Sequence, residues 1–332
     1  MVNKDMEKTL TISIAAYNVD QYLQDLLDQL LSINKTDKVE VLVIDDGSSD
    51  QTFEIAKEYA QKRPTYIKAI HKDNGGWGST VTTGIQIATG KYFKLLDGDD
   101  HYDINALNDM IDFLEFCQAD AVLSPYLKFF DGCDKTEIPD NPLFHVSVPK
   151  SIDLKEIPIK PFAFEMYSLV FRTRLLQKAK ICITEHCFYT DNEYVLKGLC
   201  QCRSFSVVPY CVYQYRVGRA GQSVSIEGMN KHYQEFEYVL RKMLVFTRDE
   251  VKNELLQTIF FERYKGLSYY YFETLFVLGN EPKHQDSCKR YDLWLKKHFP
   301  TVYHGICYIP LMFLRCTRYR LYKIALLLSK IL

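Results

Sequence analysis

The spacing of apolar residues changes character along the chain, and the changes mark its architecture. Residues 10–16 form a continuous apolar, β-branched run that predicts a strand. Asp20 then offers an N-cap to a helix whose apolar positions Leu23, Leu26, Leu27, Leu30 and Leu31 recur at helical spacing. A second buried-type strand at 39–44 runs into DDGSSDQT, where Gly47 permits a tight turn and Ser49 or Asp50 can cap a helix reaching about Lys62. A third strand at 67–70 leads through a glycine-rich stretch to a helix ending near Ala88, and a fourth at 92–96 ends in Asp97-Gly98-Asp99-Asp100. Four strand–helix units in this order predict an α/β fold with a doubly wound, mainly parallel, Rossmann-like sheet.

From 121 to 215 the pattern is mixed, with strands expected at 121–130 and 206–212 around a proline-containing loop that finishes the sheet. Beyond Gly228 strand signals stop, and helices with aromatic and leucine faces are expected at 229–246, 250–278 and 283–298. The expected domains are therefore 1–228, which is α/β, and 229–332, which is helical and ends in a basic amphipathic tail at 308–332.

Ligands of open α/β sheets bind beyond the carboxyl ends of the strands, and three polar clusters fall there: Tyr17-Asn18, Asp45-Asp46 and Asp97 to Asp100. Clustered carboxylates repel one another unless a cation sits among them, and hard oxygen ligands suit Mg²⁺ or Mn²⁺ bridging to a diphosphate. Taken alone, such a turn reads more readily as a solvated helix cap; at a strand end beside the other two clusters, it points to nucleotide chemistry.

Composition narrows the picture. A hydrophobic fraction of 47% with 25% charged residues excludes a disordered chain and a multi-span membrane protein. The net charge of −1 hides an asymmetry, because residues 293–332 hold seven Lys or Arg and no Asp or Glu, leaving −8 on the rest. That basic end points to an anionic partner. Within 308–332 no apolar stretch approaches the roughly 20 residues of a spanning helix. Two readings stand: a helix lying in an anionic membrane interface, or one docked on the protein's core with its basic side in water. Nucleic acid is not expected as a partner, since the one basic concentration is mainly apolar and lies at one terminus. Ten scattered cysteines, with no metal-ligand spacing and an opening that lacks a signal peptide's apolar core, are expected to be reduced and structural in a cytoplasmic protein. His186 has no second ligand at metal spacing and is expected to be a partly buried structural residue, and Trp77 to pack in the core or to stack on a sugar.

The order AAYN, VIDDGSSDQT, DNGG…G and ATGKYFKLLDGDD, over residues 8–102, resembles family 2 glycosyltransferases of the GT-A fold. The resemblance implies an inverting, metal-dependent transfer of a sugar from a nucleotide diphosphate, usually of uridine, to an acceptor hydroxyl. It implies that Tyr17 stacks on the base, that Asp46 hydrogen-bonds to it with Asp45 close by, and that Ala15, Asn18, Asn74, Gly75 and Gly98 complete the nucleotide site. Asp97 is implied to contact ribose or metal, and Asp99 to ligate Mn²⁺ or Mg²⁺ between the phosphates. In FYTDNEYVLKGL, Asp191 resembles the second residue of the family's Glu-Asp motif, with Thr190 in place of the Glu, and is the expected base; Glu193 is the fallback, and an N-cap is the alternative role for Asp191. YQYRVGRAGQSVS resembles the family's closing loop, with Arg216 and Arg219 expected on the diphosphate and Ser223 adding a hydrogen bond, or else with both arginines in solvent. The chain departs from the family where Thr80-Val81-Thr82 replaces an Ala-Arg-Asn run, so donor sugar identity does not carry over. It also lacks the QxxRW element and spanning helices of processive synthases, which favours single addition. The acceptor expected is a lipid-linked or growing saccharide of cell-surface polysaccharide, met in the cytoplasm or on the inner face of the membrane. A nucleotidyltransferase would show a basic glycine-rich loop after the first strand, where AAYNVDQY stands instead; a binding module without turnover would have no use for both metal and base carboxylates.

Overall fold

Strands and helices alternate from the start: β1 (Leu10–Ala16), α1 (Asp20–Leu31), β2 (Val39–Asp45), α2 (Thr52–Lys62), β3 (Ile67–His71), α3 (Trp77–Ile87) and β4 (Tyr92–Asp97). This computed structural model describes residues 8–160, 162–219, 222–223 and 225–330. The four strands lie in the order β3-β2-β1-β4 and all run parallel. Every residue of β2 is buried, which explains its near-continuous apolar run. The exception, Glu40, keeps its carboxylate satisfied by Thr11 Oγ1 at 2.6 Å and Lys68 Nζ at 3.1 Å. Helix α1 turns Leu23, Leu26, Leu27 and Leu30 to the core, a burial worth about 2 kcal/mol per leucine. Asp20 is the first residue of α1 and not its cap, so its charge acts on the helix dipole. Asp50 accepts the backbone N–H of Thr52 at 2.9 Å and so starts α2.

The chain continues through β5 (His101–Tyr102), α4 (Ile104–Phe116), β6 (Ala121–Leu123), β7 (Tyr126–Phe130), β8 (Thr136–Glu137), β9 (Lys150–Ile152), β10 (Leu169–Arg172), α5 (Thr173–Lys178), α6 (Asp191–Leu199), β11 (Phe205–Val207) and β12 (Tyr213–Val217). The main sheet is completed as β3-β2-β1-β4-β10-β6-β11-β9, with β10 antiparallel to both its neighbours. A second sheet has the order β5-β12-β7-β8. The strand expected over 121–130 is two strands in different sheets, broken at Pro125; that expected over 206–212 overlaps only β11, which stops before Pro209, and β12 begins beyond it in the other sheet. Proline has no N–H for the ladder, so each marks the point where the chain changes sheet.

The chain divides into two compact units, Met1–Arg219 and Ala220–Leu332. The second contains α7 (Ile226–Asp249), α8 (Glu254–Val277), α9 (Pro282–His298), α10 (Pro300–Gly305), α11 (Ile309–Cys316) and α12 (Tyr322–Ser329). Ser225 and Asn253 cap α7 and α8 through the N–H groups of Gly228 and Leu256, each at 3.0 Å. Two buried carboxylates knit this unit: Glu237 accepts from Arg241, Arg290 and Tyr271, and Asp292 holds Arg315 at 2.7 Å. The tail packs on its own unit along one side, where Tyr322 stacks on Phe276 with ring centroids 5.2 Å apart. Residues 331–332 lie outside the described residues. No described helix is long and apolar enough to cross a membrane.

Candidate active site

Two polar loops leave the sheet at the tip of one strand. The N–H of Asp46 donates to Ala16 O at 2.9 Å, and that of Gly98 donates to Ala15 O at 3.0 Å. Ala15 also sits in register between Ile44 and Asp97. With strands spaced about 5 Å apart, the Asp45-Asp46 turn and the Asp97–Asp100 turn flank the β1 tip about 10 Å from each other. Gly98 is required there, because a Cβ would stand 2.9 Å from Val19 and 3.1 Å from Ala15 O. Asn18, in the left-handed region with φ 50°, locks the β1 tip to the next loop by accepting from Ser49 N at 2.9 Å. Tyr17 beside it keeps 53% of its surface exposed, as an aromatic platform at the rim.

The glycine turn is folded around Asp46. One carboxylate oxygen accepts from Gly75 N at 3.0 Å, Ser79 Oγ at 3.1 Å and Lys72 Nζ at 2.8 Å, and the other accepts from Gly76 N at 2.7 Å. Asn74 closes the turn by donating to Asp46 O at 3.0 Å. Asp46 is thus 2% exposed, and Oδ2, which takes one described donor, is the oxygen with capacity for another N–H. Asp45 is fully buried, with Oδ2 2.5 Å from Nδ1 of the exposed His71.

The same turn anchors the segment that carries Asp191. His186 N donates to Gly75 O at 2.6 Å and Ile183 N to Thr82 Oγ1 at 3.0 Å, while a Cβ on Gly78 would come within 2.2 Å of Thr184 O. Thr80-Val81-Thr82 is therefore a buried packing surface for this segment. The His186 side chain is exposed, contrary to expectation; it is the backbone that is structural. Thr190 holds the N-cap position of α6 and Asp191 is its first helical residue, which removes the capping alternative. Glu193 is fully buried and spent on the segment itself, accepting from Thr184 N and Oγ1 at 3.1 and 2.6 Å and pairing with Lys197 at 2.6 Å. The fallback base is thereby withdrawn.

In the acidic turn each carboxylate has a different partner. Asp97 accepts from Trp77 Nε1 at 2.7 Å, so Trp77 is a ligand of the acidic turn. Asp99 pairs with Arg219 Nε at 2.6 Å. Asp100, 1% exposed, accepts from the Tyr213 hydroxyl and the Arg216 N–H, each at 2.7 Å. Burial first, and then the charge of Asp99, pushes Asp97 up to about 7; Asp191 adds to the rise, and the Trp77 hydrogen bond opposes it. Burial, and then the charges of Asp99 and Asp97, raise Asp100 well above the carboxylate range. Carboxylates that retain protons for want of a counter-charge fit a divalent cation, and Asp97 and Asp99 offer it hard oxygens. Among the described residues no group of three or more His, Cys, Asp or Glu is arranged to hold a metal unaided. A cation here would draw its remaining ligands from water and phosphate oxygens, as Mg²⁺ commonly does.

The raised Asp97 carboxyl has a measurable consequence. Its folded-state value lies above the unfolded one, so the folded protein holds a proton that the unfolded chain releases between about pH 4 and 7, and stability falls as pH rises through that window. Thermal denaturation of the wild type and of Asp97→Asn at pH 5 and pH 8 isolates this contribution. The Asn variant is expected to gain at pH 8 relative to pH 5 by roughly 2–4 °C compared with wild type; parallel pH profiles would contradict it.

Arg216 is committed within the protein. Nε donates to Asp99 O at 2.8 Å, one terminal nitrogen pairs with Asp131 at 2.8 Å, the other lies 2.9 Å from His101 Nε2, and the guanidinium stands over Tyr22 and Phe129. It braces β12 against the acidic turn, which leaves Arg219 as the closing-loop cation on the Asp99 side chain. Ser223 belongs to the second unit, and residues 220–221 between it and Arg219 lie outside the described residues. Sequence reasoning passed over Lys72, His71 and Tyr213. Lys72 directly precedes the glycine turn, and His71 ends a strand beside Asp45, so both were findable from position; Tyr213 carries no such signal.

Comparison with known proteins agrees with this geometry. Residues 11–180 match the family described as glycosyl transferase family 2. The chain is similar to the uncharacterized glycosyltransferase EpsJ of Bacillus subtilis, at 26% identity over 62% of this chain and 60% of that protein. It is also similar to poly(ribitol-phosphate) β-N-acetylglucosaminyltransferase TarS of Staphylococcus aureus, at 24% identity over 78% of this chain and 45% of that one. The matched part therefore spans about half to three fifths of these relatives' length. Among solved structures, TarS residues 1–349 in complex with UDP-GlcNAc share the fold with a TM-score of 0.65 at 17% identity, covering 96% of this chain and 90% of that one. A mannosyltransferase of Pyrobaculum calidifontis in complex with GDP-Man and Mn²⁺ shares it with a TM-score of 0.54 at 14% identity, covering 97% and 86%.

Proposed function

The chain belongs to glycosyltransferase family 2, and on that premise we propose that it moves a single sugar from a uridine diphosphate donor to an acceptor hydroxyl with inversion. Its α/β unit has the GT-A fold that the order of motifs implied. The observation that carries the proposal is one rim in which the Asp46 turn, the acidic turn and the segment leading to Asp191 are joined through β1 and Gly75.

In this reading Tyr17 stacks on the base and Asp46 Oδ2 accepts its N–H, while Asn74 and Gly75 keep the turn close to the nucleotide. Asp97 and Asp99 would hold a divalent cation, which when bound would supply Lewis-acid neutralisation of charge on the departing diphosphate. Arg219 then exchanges Asp99 for phosphate oxygens, a partner of the same charge and geometry. Asp191 takes the proton of the acceptor hydroxyl as its oxygen bonds to the anomeric carbon and the bond from that carbon to the diphosphate breaks. The acceptor proposed is a lipid-linked or growing saccharide of cell-surface polysaccharide, met at the cytoplasmic face of the membrane; the name of TarS, a transferase acting on poly(ribitol-phosphate), supports a polymeric acceptor.

A thermal-shift panel of UDP-, GDP-, CDP- and dTDP-sugars with Mn²⁺ tests the reading. The UDP-sugar is expected to raise the melting temperature most, by the amount that ligand excess over Kd dictates, about 2.7 kcal/mol at a hundredfold excess. Stabilisation by none of the four would count against nucleotide-sugar chemistry altogether.

A further inference from the structure

The helical unit ends in a surface that its own core leaves uncovered. On α11, Pro310, Leu311 and Leu314 are buried, while Ile309, Met312 and Cys316 are exposed on the opposite arc. On α12, Tyr322 and Ala325 are buried, while Ile324 and Leu327, with Leu321 just before the helix, form a second exposed apolar face at three-residue spacing. The exposed fractions are large for aliphatic side chains, 52% at Ile309 and 60% at Leu327. Arg318 and Arg320, in the turn between the helices, and Lys323 and Lys330, bordering the apolar arc of α12, are exposed as well. No Asp or Glu follows Asp292, and Asp292 is itself fully buried against Arg315.

We propose that this face of α11 and α12 is a docking surface for an anionic lipid bilayer, with the aliphatic side chains in the headgroup–acyl boundary and the four cations among lipid phosphates. A second copy of the chain is disfavoured as occupant, because it would bring the same four cations to the contact, against which the exposed Glu273 near Tyr308 sets a single carboxylate. An acidic polypeptide would satisfy the cations and leave the aliphatic arc without a partner. A bilayer interface satisfies both at once, and the helices are too short to go further than its surface. The docking stands on this surface alone; its purpose, to meet a membrane-held acceptor, rests on the transferase reading.

Co-sedimentation of the full chain with vesicles of phosphatidylcholine alone, and of phosphatidylcholine with phosphatidylglycerol, tests the proposal. Binding is expected to the anionic vesicles and to weaken with salt. Arg318→Gln and Arg320→Gln are each expected to weaken it about fivefold. Ile324→Asp combined with Leu327→Asp, both at exposed positions and checked for folding by circular dichroism, is expected to abolish it. Wild-type binding that is absent, or equal on neutral and anionic vesicles, would overturn the proposal. So would a dimer in sedimentation velocity that the Ile324→Asp and Leu327→Asp changes dissociate. UDP affinity measured on the same samples reports the transferase reading separately, so that failure to bind vesicles with UDP binding intact removes the docking alone.

Discussion

Asp191→Asn is expected to bind UDP within about twofold of wild type while kcat falls by about a thousandfold or more. The amide is isosteric with the carboxylate and differs in being unable to take a proton at neutral pH. Asp191 does not cap α6, so the helix loses no cap when its charge is removed. No neighbour on the helix can take over, because the Glu193 carboxylate is buried and held by Thr184 and Lys197. A thousandfold loss corresponds to about 4 kcal/mol of transition-state stabilisation. Steady-state turnover together with nucleotide titration on the one variant separates the two quantities. Equal turnover would discard Asp191 as the base, and weakened UDP affinity would recast it as part of the donor site.

The first four strands and three helices were legible chiefly because most are pure cases. β2 is buried from end to end and reads as an apolar run, and α1 is half-buried and reads as leucines at helical spacing. The second half of the α/β unit was less legible, because β6 and β7 form one apolar run that is divided between two sheets, and only Pro125 marks the change. At the site, the backbone relations were readable: a glycine turn after β3 and an acidic turn after β4 must meet at the tip of β1. The partners of the carboxylates were not. That Asp46 is wrapped by Gly75, Gly76, Ser79 and Lys72, or that an indole N–H takes Asp97, depends on side-chain directions in loops, for which no period exists. The closing loop shows the same limit: two arginines three residues apart look alike in sequence, yet Arg216 is committed to Asp131 and stands between two aromatic rings while Arg219 holds the Asp99 carboxylate.

That last contact frames the second large effect. In the structure a guanidinium neutralises Asp99, with Arg219 Nε 2.6 Å from the carboxylate; on the proposed reading, a divalent cation bound with a diphosphate would take over that role. Asp99→Ala removes the ligand that makes this exchange worthwhile, while Asp97 and its Trp77 hydrogen bond remain. The variant is therefore expected to bind UDP in a way that no longer responds to metal. Isothermal titration of UDP into wild type and Asp99→Ala, each in Mn²⁺ and in EDTA, is the most direct test of the claim that these strand tips hold a cation against a diphosphate. The account predicts that Mn²⁺ tightens wild-type binding by about tenfold or more, at least 1.4 kcal/mol, and leaves Asp99→Ala at its EDTA value. Wild-type affinity that is the same in Mn²⁺ and EDTA would contradict it, and would make the Arg219–Asp99 pair the working arrangement of the site.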